Sequence, residues 1–234
     1  MSKSLNRIEP PASLMEVTVD RIRDAIIAGE LPLGCKLSEQ RLADLLGISR
    51  SPVRDALAAL QVEGLVTVYP KRGSFVFTPE LQAVDEINEH RCILEKASIR
   101  KAIATNHKAL LSSLSDACEK MAEASRQGDA LQYTKGDIDF HNSIIASGGN
   151  HSIASSYKRT IGPLMALRTH LFTIMNETMD RSMDEHLAIL DACRSKNIEE
   201  AELLVDSHAG HLVDAYRTAL SETSLFDGLS TTAA

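Results

Sequence analysis

Between Leu37 and Phe77 the chain runs LSEQRLADLLGISRSPVRDALAALQVEGLVTVYPKRGSFVF, and no other stretch limits the fold as much. Ser38 is placed to cap a short helix, EQRLADLL, whose Leu42, Leu45 and Leu46 share one face, and Gly47 ends it. Ser51 then caps a further helix that carries Pro52 in its first turn and turns Val53, Ala56, Leu57 and Leu60 inward, up to Gly64. Two β-rich runs, LVTVY and SFVF, flank a Pro-Lys-Arg-Gly turn and predict a hairpin. Upstream, Leu14, Val17, Val19, Ile22, Ile26 and Ile27 recur at helical spacing and predict a helix that stops near Gly29. Three helices followed by a hairpin predict a winged helix-turn-helix.

In such a unit the second helix of the pair enters the DNA major groove with its N-terminal residues against the base edges. Here that N-terminus offers Arg50, Ser51 and Arg54. Residues four apart share a face, so the two guanidiniums point the same way. The planar fork of Arg donates two bonds at once to guanine or to phosphate. Lys71, Arg72 and Gly73 at the hairpin tip can follow the backbone or enter the minor groove. The competing assignment pairs Arg50 and Arg54 with Asp55 or Glu63 on a solvated helix.

The formal charge of −7 does not exclude nucleic acid once it is divided. Through Pro79 there are 10 basic and 9 acidic side chains, a balance of +1; the remaining 15 and 23 give −8. The acidity therefore belongs to the second part of the chain, and any basic surface in the first is local. No run of apolar residues is long enough to span a bilayer, and the N-terminus lacks the apolar core of a secretory signal. Cys35, Cys92, Cys118 and Cys193 are scattered, as in a reduced, cytoplasmic protein.

After Thr78-Pro79 only helical periodicity remains. Helices are expected over 80–104, 107–127, 130–147, 150–177, 180–195 and 198–220, with Asn106, Gly128, Gly148-Gly149 and Lys196-Asn197 at the joints and a kink at Pro163. The expected organisation is mainly α: a winged helix-turn-helix over 1–79, an all-helical bundle over 80–223, and a flexible tail over 224–234. Residues 1–11 read as a loose arm.

The histidines of the second part carry the remaining chemistry. Asp137 and His141 lie four apart on one helical face. His186 and His208 lie almost symmetrically about the Lys196-Asn197 joint, so an antiparallel hairpin would hold both about 16 Å from its bend, side by side. Three imidazoles and a carboxylate suit a divalent metal, zinc foremost, with nickel or manganese as alternatives. A single helical His is more often a polar core residue, and His90, His107, His151, His170 and His211 are assigned that role. His211, one turn beyond His208, is the second choice of ligand. Asp139 lies off the Asp137–His141 face and is expected in solvent.

The stretch from LSEQRLADLL through KRGSFV resembles the DNA-binding domain of GntR-type transcription regulators over about 40 residues without a break. The resemblance implies that Arg50, Ser51, Arg54 and the wing tip at Gly73 touch an operator, and that a homodimer reads a near-palindromic site. HRCILEKASIRKAIA, DIDFHNSIIASGGN and the His186–His208 hairpin resemble the all-helical effector domain of the FadR subfamily. That resemblance implies metal binding by Asp137, His141, His186 and His208, with a small carboxylate on the metal. It places Arg91 near the pocket, against the alternative of an i, i+4 pair with Glu95. Arg168 is the lesser effector-binding candidate, with an exposed face as its simpler assignment.

These features predict an effector-responsive transcription regulator, commonly a repressor in such a family, and not an enzyme. A metal-dependent hydrolase would need a general base beside the ligands, and none is apparent. A sensor of the metal itself is the other alternative.

Overall fold

The computed structural model describes residues 13–174 and 179–222. The arm and tail expected at the two ends lie outside the described residues.

Helix α1 (Leu14–Ile27) starts at a reciprocal cap: Ser13 Oγ accepts from the Glu16 amide, and the Ser13 amide donates to Glu16. A two-residue strand β1 (Lys36–Leu37) precedes α2 (Glu39–Leu46), which begins at Ser38 and ends at Gly47 in the left-handed region, φ +66. Helix α3 (Arg50–Val62) leads to β2 (Val66–Tyr69) and β3 (Gly73–Val76). The wing is antiparallel in the order β1-β3-β2, with Tyr69 opposite Gly73.

Three details depart from the sequence expectation. The cap of α3 is Ser49, not Ser51, and its side chain makes no capping bond; the helix begins two residues earlier than expected, at Arg50. The strand β1 is too short to give a periodic signal. Of the three leucines expected on the inner face of α2, only Leu42 is buried. Leu45 and Leu46 instead line a cleft whose far side carries Glu119, Lys120 and Lys135 of the second part.

The second part consists of α4 (Leu81–Thr105), α5 (His107–Gln127), α6 (Ala130–Ser147), α7 (His151–Thr160), α8 (Gly162–Ile174), α9 (Met179–Arg194) and α10 (Ile198–Glu222). The helix expected over 150–177 is two helices within the described residues. Pro163 has no N–H for a bond to the preceding turn, so the expected kink becomes a break at Ile161, and residues 175–177 lie outside the description. Helices α5 and α6 pack closely at Gly136, where a Cβ would meet the Met121 side chain at 2.6 Å. This contact seats the next residue, Asp137, in the bundle interior.

The two parts share one core. Val53, Leu57, Leu60 and Leu65 of the head pack with Leu164, Leu167 and Leu171 of α8. Gly162 lies against Leu65, and Tyr216 donates to the carbonyl of Pro79 at 2.6 Å.

Candidate DNA-reading head and metal centre

Arg50, Ser51 and Arg54 are all exposed on the first two turns of α3. Neither arginine pairs with Asp55 or Glu63. Glu63 holds Arg23 of α1 by two bonds of 2.7 and 2.8 Å. Arg50 and Arg54 instead share the carboxylate of Glu39, in the first turn of α2. Lys71 and Gly73 take positive φ (64 and 105) and close the hairpin tip, which thrusts Lys71 and Arg72 outward. The Arg72 guanidinium lies 5.4 Å from the centre of the Tyr69 ring.

Asp137, His141, His186 and His208 are buried, and one ligand atom from each lies within 4.8 Å of all the others. Helix α6 supplies the first two, one turn apart, and the α9–α10 hairpin supplies the other two. His141 Nε2 and His208 Nε2 are 3.2 Å apart, and His186 Nε2 is 3.1 Å from Asp137 Oδ1. Ligand atoms bound to one zinc at about 2.1 Å would be separated by similar distances, roughly 3.0–3.4 Å.

The other nitrogen of each ring is already committed. His141 Nδ1 meets Glu95 Oε2 at 2.9 Å, His186 Nδ1 meets the Ser182 carbonyl at 2.6 Å, and His208 Nδ1 meets Glu185 Oε2 at 2.8 Å. Each acceptor assigns the proton to Nδ1 and turns the Nε2 lone pair inward, which is how metal-binding imidazoles are held. Despite their 3.1 Å approach, His186 Nε2 and Asp137 Oδ1 make no hydrogen bond. His186 Nε2 has no hydrogen-bond partner among the described residues, and Asp137 Oδ1 makes no hydrogen bond, only an ion pair with Arg168 Nη2 at 3.0 Å; a cation between the two atoms would satisfy both.

Two arginines close the site. Arg91 donates to Glu95 at 2.9 Å and to His141 Nε2 at 2.7 Å, so both sequence assignments for Arg91 hold at once: it is the i, i+4 partner of Glu95 and it faces the cluster. The His141 contact uses the lone pair a cation would need, so the two are mutually exclusive. Arg168 is not on an exposed face. It is buried, with Nη2 at 3.0 Å from Asp137 Oδ1 and 2.9 Å from Ser182 Oγ. Its helix is apolar on nearly every side, so its one cation turns to the nearest buried carboxylate.

Burial alone would raise the Glu95 carboxyl, but the Arg91 charge and His141 outweigh it and hold it at about 2. Burial would likewise raise Asp137, and the Arg168 charge holds it well below the carboxylate range. Burial, then the Arg91 charge, pushes His141 down to about 4, and burial drives His208 well below its usual value. His141 and His208 are thus kept neutral and Asp137 ionised, the forms that bind a metal.

Of the remaining candidates, His211 is half-exposed and turned to Glu185, His107 reaches the Cys193 carbonyl, and Asp139 pairs with Lys120 on the surface. A cavity of about 20 Å³, lined by Arg168, Arg181, Glu185, His208 and His211, adjoins the cluster. A larger cleft, about 1780 Å³, lies between the head and α5–α6 and includes none of the four cluster residues.

Residues 14–76 match the gntR family of bacterial regulatory proteins, and residues 86–211 match the FCD domain. The chain belongs to the GntR family. It is 27% identical over 208 residues to the gluconate operon transcriptional repressor of Bacillus licheniformis, covering 84% of each chain. It is 33% identical over 128 residues to an HTH-type transcriptional regulator of Agrobacterium vitis, covering 53% of this chain and 75% of that one. Among solved structures, a GntR regulator from Rhodococcus sp. RHA1 superposes with a TM-score of 0.75 at 25% identity, over 91% of this chain and 100% of that one. The family is one of DNA-binding transcription regulators, and this GntR protein joins a DNA-binding head to an FCD domain that encloses a buried His/Asp cluster able to hold a metal. No described helix is long and apolar enough to cross a membrane.

Proposed function

We propose that this GntR protein is a homodimeric repressor whose affinity for a near-palindromic operator responds to a small organic acid bound at a metal. Asp137, His141, His186 and His208 hold the ion, zinc in the first instance. The observation that carries this reading is the set of three inward Nε2 atoms, each fixed by an acceptor on its own Nδ1. Zinc would supply a Lewis-acidic point at which a carboxylate oxygen completes the coordination. Arg91 and Arg168 flank that point and are the groups to grip the effector carboxylate, since both already engage cluster residues. The adjoining cavity has room for about one water, so an organic acid must widen the site, and that widening is available to move α8 against the head. Arg50, Ser51 and Arg54 read the groove, and Lys71, Arg72 and Gly73 follow the backbone. The repressor sign is taken from the named Bacillus relative.

Elemental analysis and melting tests decide the metal reading. The purified protein should carry about one divalent ion per chain, since four ligands describe one tetrahedral site. Chelation should lower the melting temperature, because an ion bound only to the folded state stabilises it. His186→Ala and His208→Ala should abolish most of that shift, and His211→Ala should leave the metal content unchanged. A metal-free protein that resists reconstitution would refute the assignment. Operator release by metal alone, without any acid, would make it a metal sensor instead.

A further inference from the structure

We infer that Glu39 is a specificity-determining residue of the DNA-reading head: it holds Arg54 and Arg50 in one presentation and biases the head against non-specific duplex. The inference rests on the base-reading role proposed for these arginines.

The geometry is a fork on a single carboxylate. Arg54 Nε donates to Glu39 Oε1 at 3.1 Å and Arg54 Nη2 to Oε2 at 2.9 Å, while Arg50 Nη2 reaches the same Oε2 at 3.2 Å. Glu39 belongs to α2 and both arginines to α3, so the contact crosses the helix-turn-helix joint. Both guanidiniums are more than half exposed, and ion pairs this open add little to stability. Their arrangement must matter elsewhere. The Arg54 hydrogen bond keeps the Glu39 carboxyl below its usual range, so the carboxylate is ionised at neutral pH.

The Nε–Nη2 edge of Arg54 is consumed by Glu39. Its other edge, Nη1 with the second Nη2 hydrogen, has no partner among the described residues and faces outward from α3. That edge is a fork of two parallel donors, the shape that fits the O6 and N7 acceptors of guanine. Reading a guanine therefore leaves the Glu39 pair intact. A phosphate taken by the same edge brings its negative charge beside the Glu39 carboxylate, which a neutral guanine does not, and a clamp that swings the arginine away leaves the carboxylate facing the DNA backbone. Non-specific binding depends on phosphate contacts, so it bears this repulsion in full.

The test uses the full chain, a duplex it selects from a randomised pool, and a random duplex, titrated at several salt concentrations. Glu39→Gln should tighten binding to the random duplex relative to the selected one and narrow the affinity ratio by roughly tenfold. Asp55→Asn removes an equal charge from an exposed site on α3 that acts on Arg54 only through its field, with no hydrogen bond to either arginine, and should shift both duplexes alike. Arg54→Ala should also narrow the ratio, and adding Glu39→Gln to it should have little further effect. If Glu39→Gln moves both duplexes by one factor, as Asp55→Asn does, while Arg54→Ala narrows the ratio, the role of Glu39 is overturned and the arginine reading stands. If Arg54→Ala leaves the ratio unchanged, both are overturned.

Discussion

Glu95 Oε2 accepts the Nδ1–H of His141 at 2.9 Å, a contact between α4 and α6 that spans 46 residues of chain. The other carboxylate oxygen takes Arg91 Nε at 2.9 Å and the Tyr157 hydroxyl at 2.8 Å. One fully buried anion thus ties the Arg91 guanidinium to the His141 imidazole, and a change at either end reaches the other.

Glu95→Gln should therefore weaken metal binding. The amide oxygen can still accept from His141, but the NH2 group then opposes the Arg91 guanidinium, and the anion that keeps the proton on Nδ1 is gone. Outer partners of metal-bound histidines are typically worth a factor of about 10–100 in affinity. Zinc competition against a chromophoric chelator measures it. An unchanged affinity would mean that the Glu95–His141 bond does not orient the ligand.

Arg91→Met should separate two effects. Without the guanidinium, the buried Glu95 loses its main countercharge, so the metal-free protein should melt lower; leaving a buried charge unpaired typically costs about 3–5 kcal/mol. Yet His141 Nε2 is released from its 2.7 Å bond and a cation repelling the metal is removed. Zinc affinity should rise, and the zinc-induced melting shift should exceed that of the unaltered protein. The response to a carboxylate effector should weaken. A variant whose melting shift with zinc is smaller would show that Arg91 does not compete for that lone pair.

How much of this can be read from the chain depends on the range of each interaction. The helix-turn-helix, the wing and the bundle follow from periodicity and glycine stops, which act over a few residues. An i, i+4 pair and a symmetric hairpin each fix two of the positions Asp137, His141, His186 and His208 by helical geometry; that the two pairs meet is what the resemblance to the FadR subfamily implies. The groups that orient the rings are not legible in this way. Glu95 is visible in the sequence only as the neighbour of Arg91, because its bond to His141 depends on how α4 packs on α6. The Ser182 carbonyl is a backbone atom that any residue would offer. Arg168 is misplaced by sequence reasoning because a lone arginine is normally solvated; the signal is its apolar helix, with Leu164, Leu167 and Leu171 buried around it. Glu39 escapes notice because its partners lie across the joint, 11 and 15 residues away.

The two kinds of basic contact in the head should be separable. Arg54→Ala should cost about 1–3 kcal/mol on the operator if it reads a base edge, with little change on random DNA. Lys71→Ala should weaken binding to all sequences alike and reduce the salt slope by about 1. Anisotropy titrations at two salt concentrations give both quantities. Equal, sequence-blind losses for the two variants would remove the base-reading role.

Acid should undo the second domain in a defined order. A buried histidine held below its ordinary value binds fewer protons when folded than when unfolded, so stability rises with pH across the gap between the two values. For His141 the gap runs from about 4 when folded to 6.5 in its unperturbed state. His208 shifts in the same direction, so it adds to the same slope. Stability of the metal-free protein should therefore decline as pH falls below about 6.5. Glu95 and Asp137, depressed by their arginines, contribute stability that is present above the ordinary carboxylate range and is lost only at lower pH. The histidine step comes first and the carboxylate step second, both in the same direction. Denaturant midpoints of chelated protein at half-unit intervals from pH 7.5 to about 4.5 cover the first step. His208→Asn should flatten the slope in that window and leave the high-pH plateau lower but level. In the unaltered protein, zinc should remain bound below pH 6, because His141 and His208 stay neutral there. A midpoint that stays constant from pH 7 to 5 after chelation would show that His141 is protonated in the folded state, and the inward lone pairs assigned to the cluster would then be wrong.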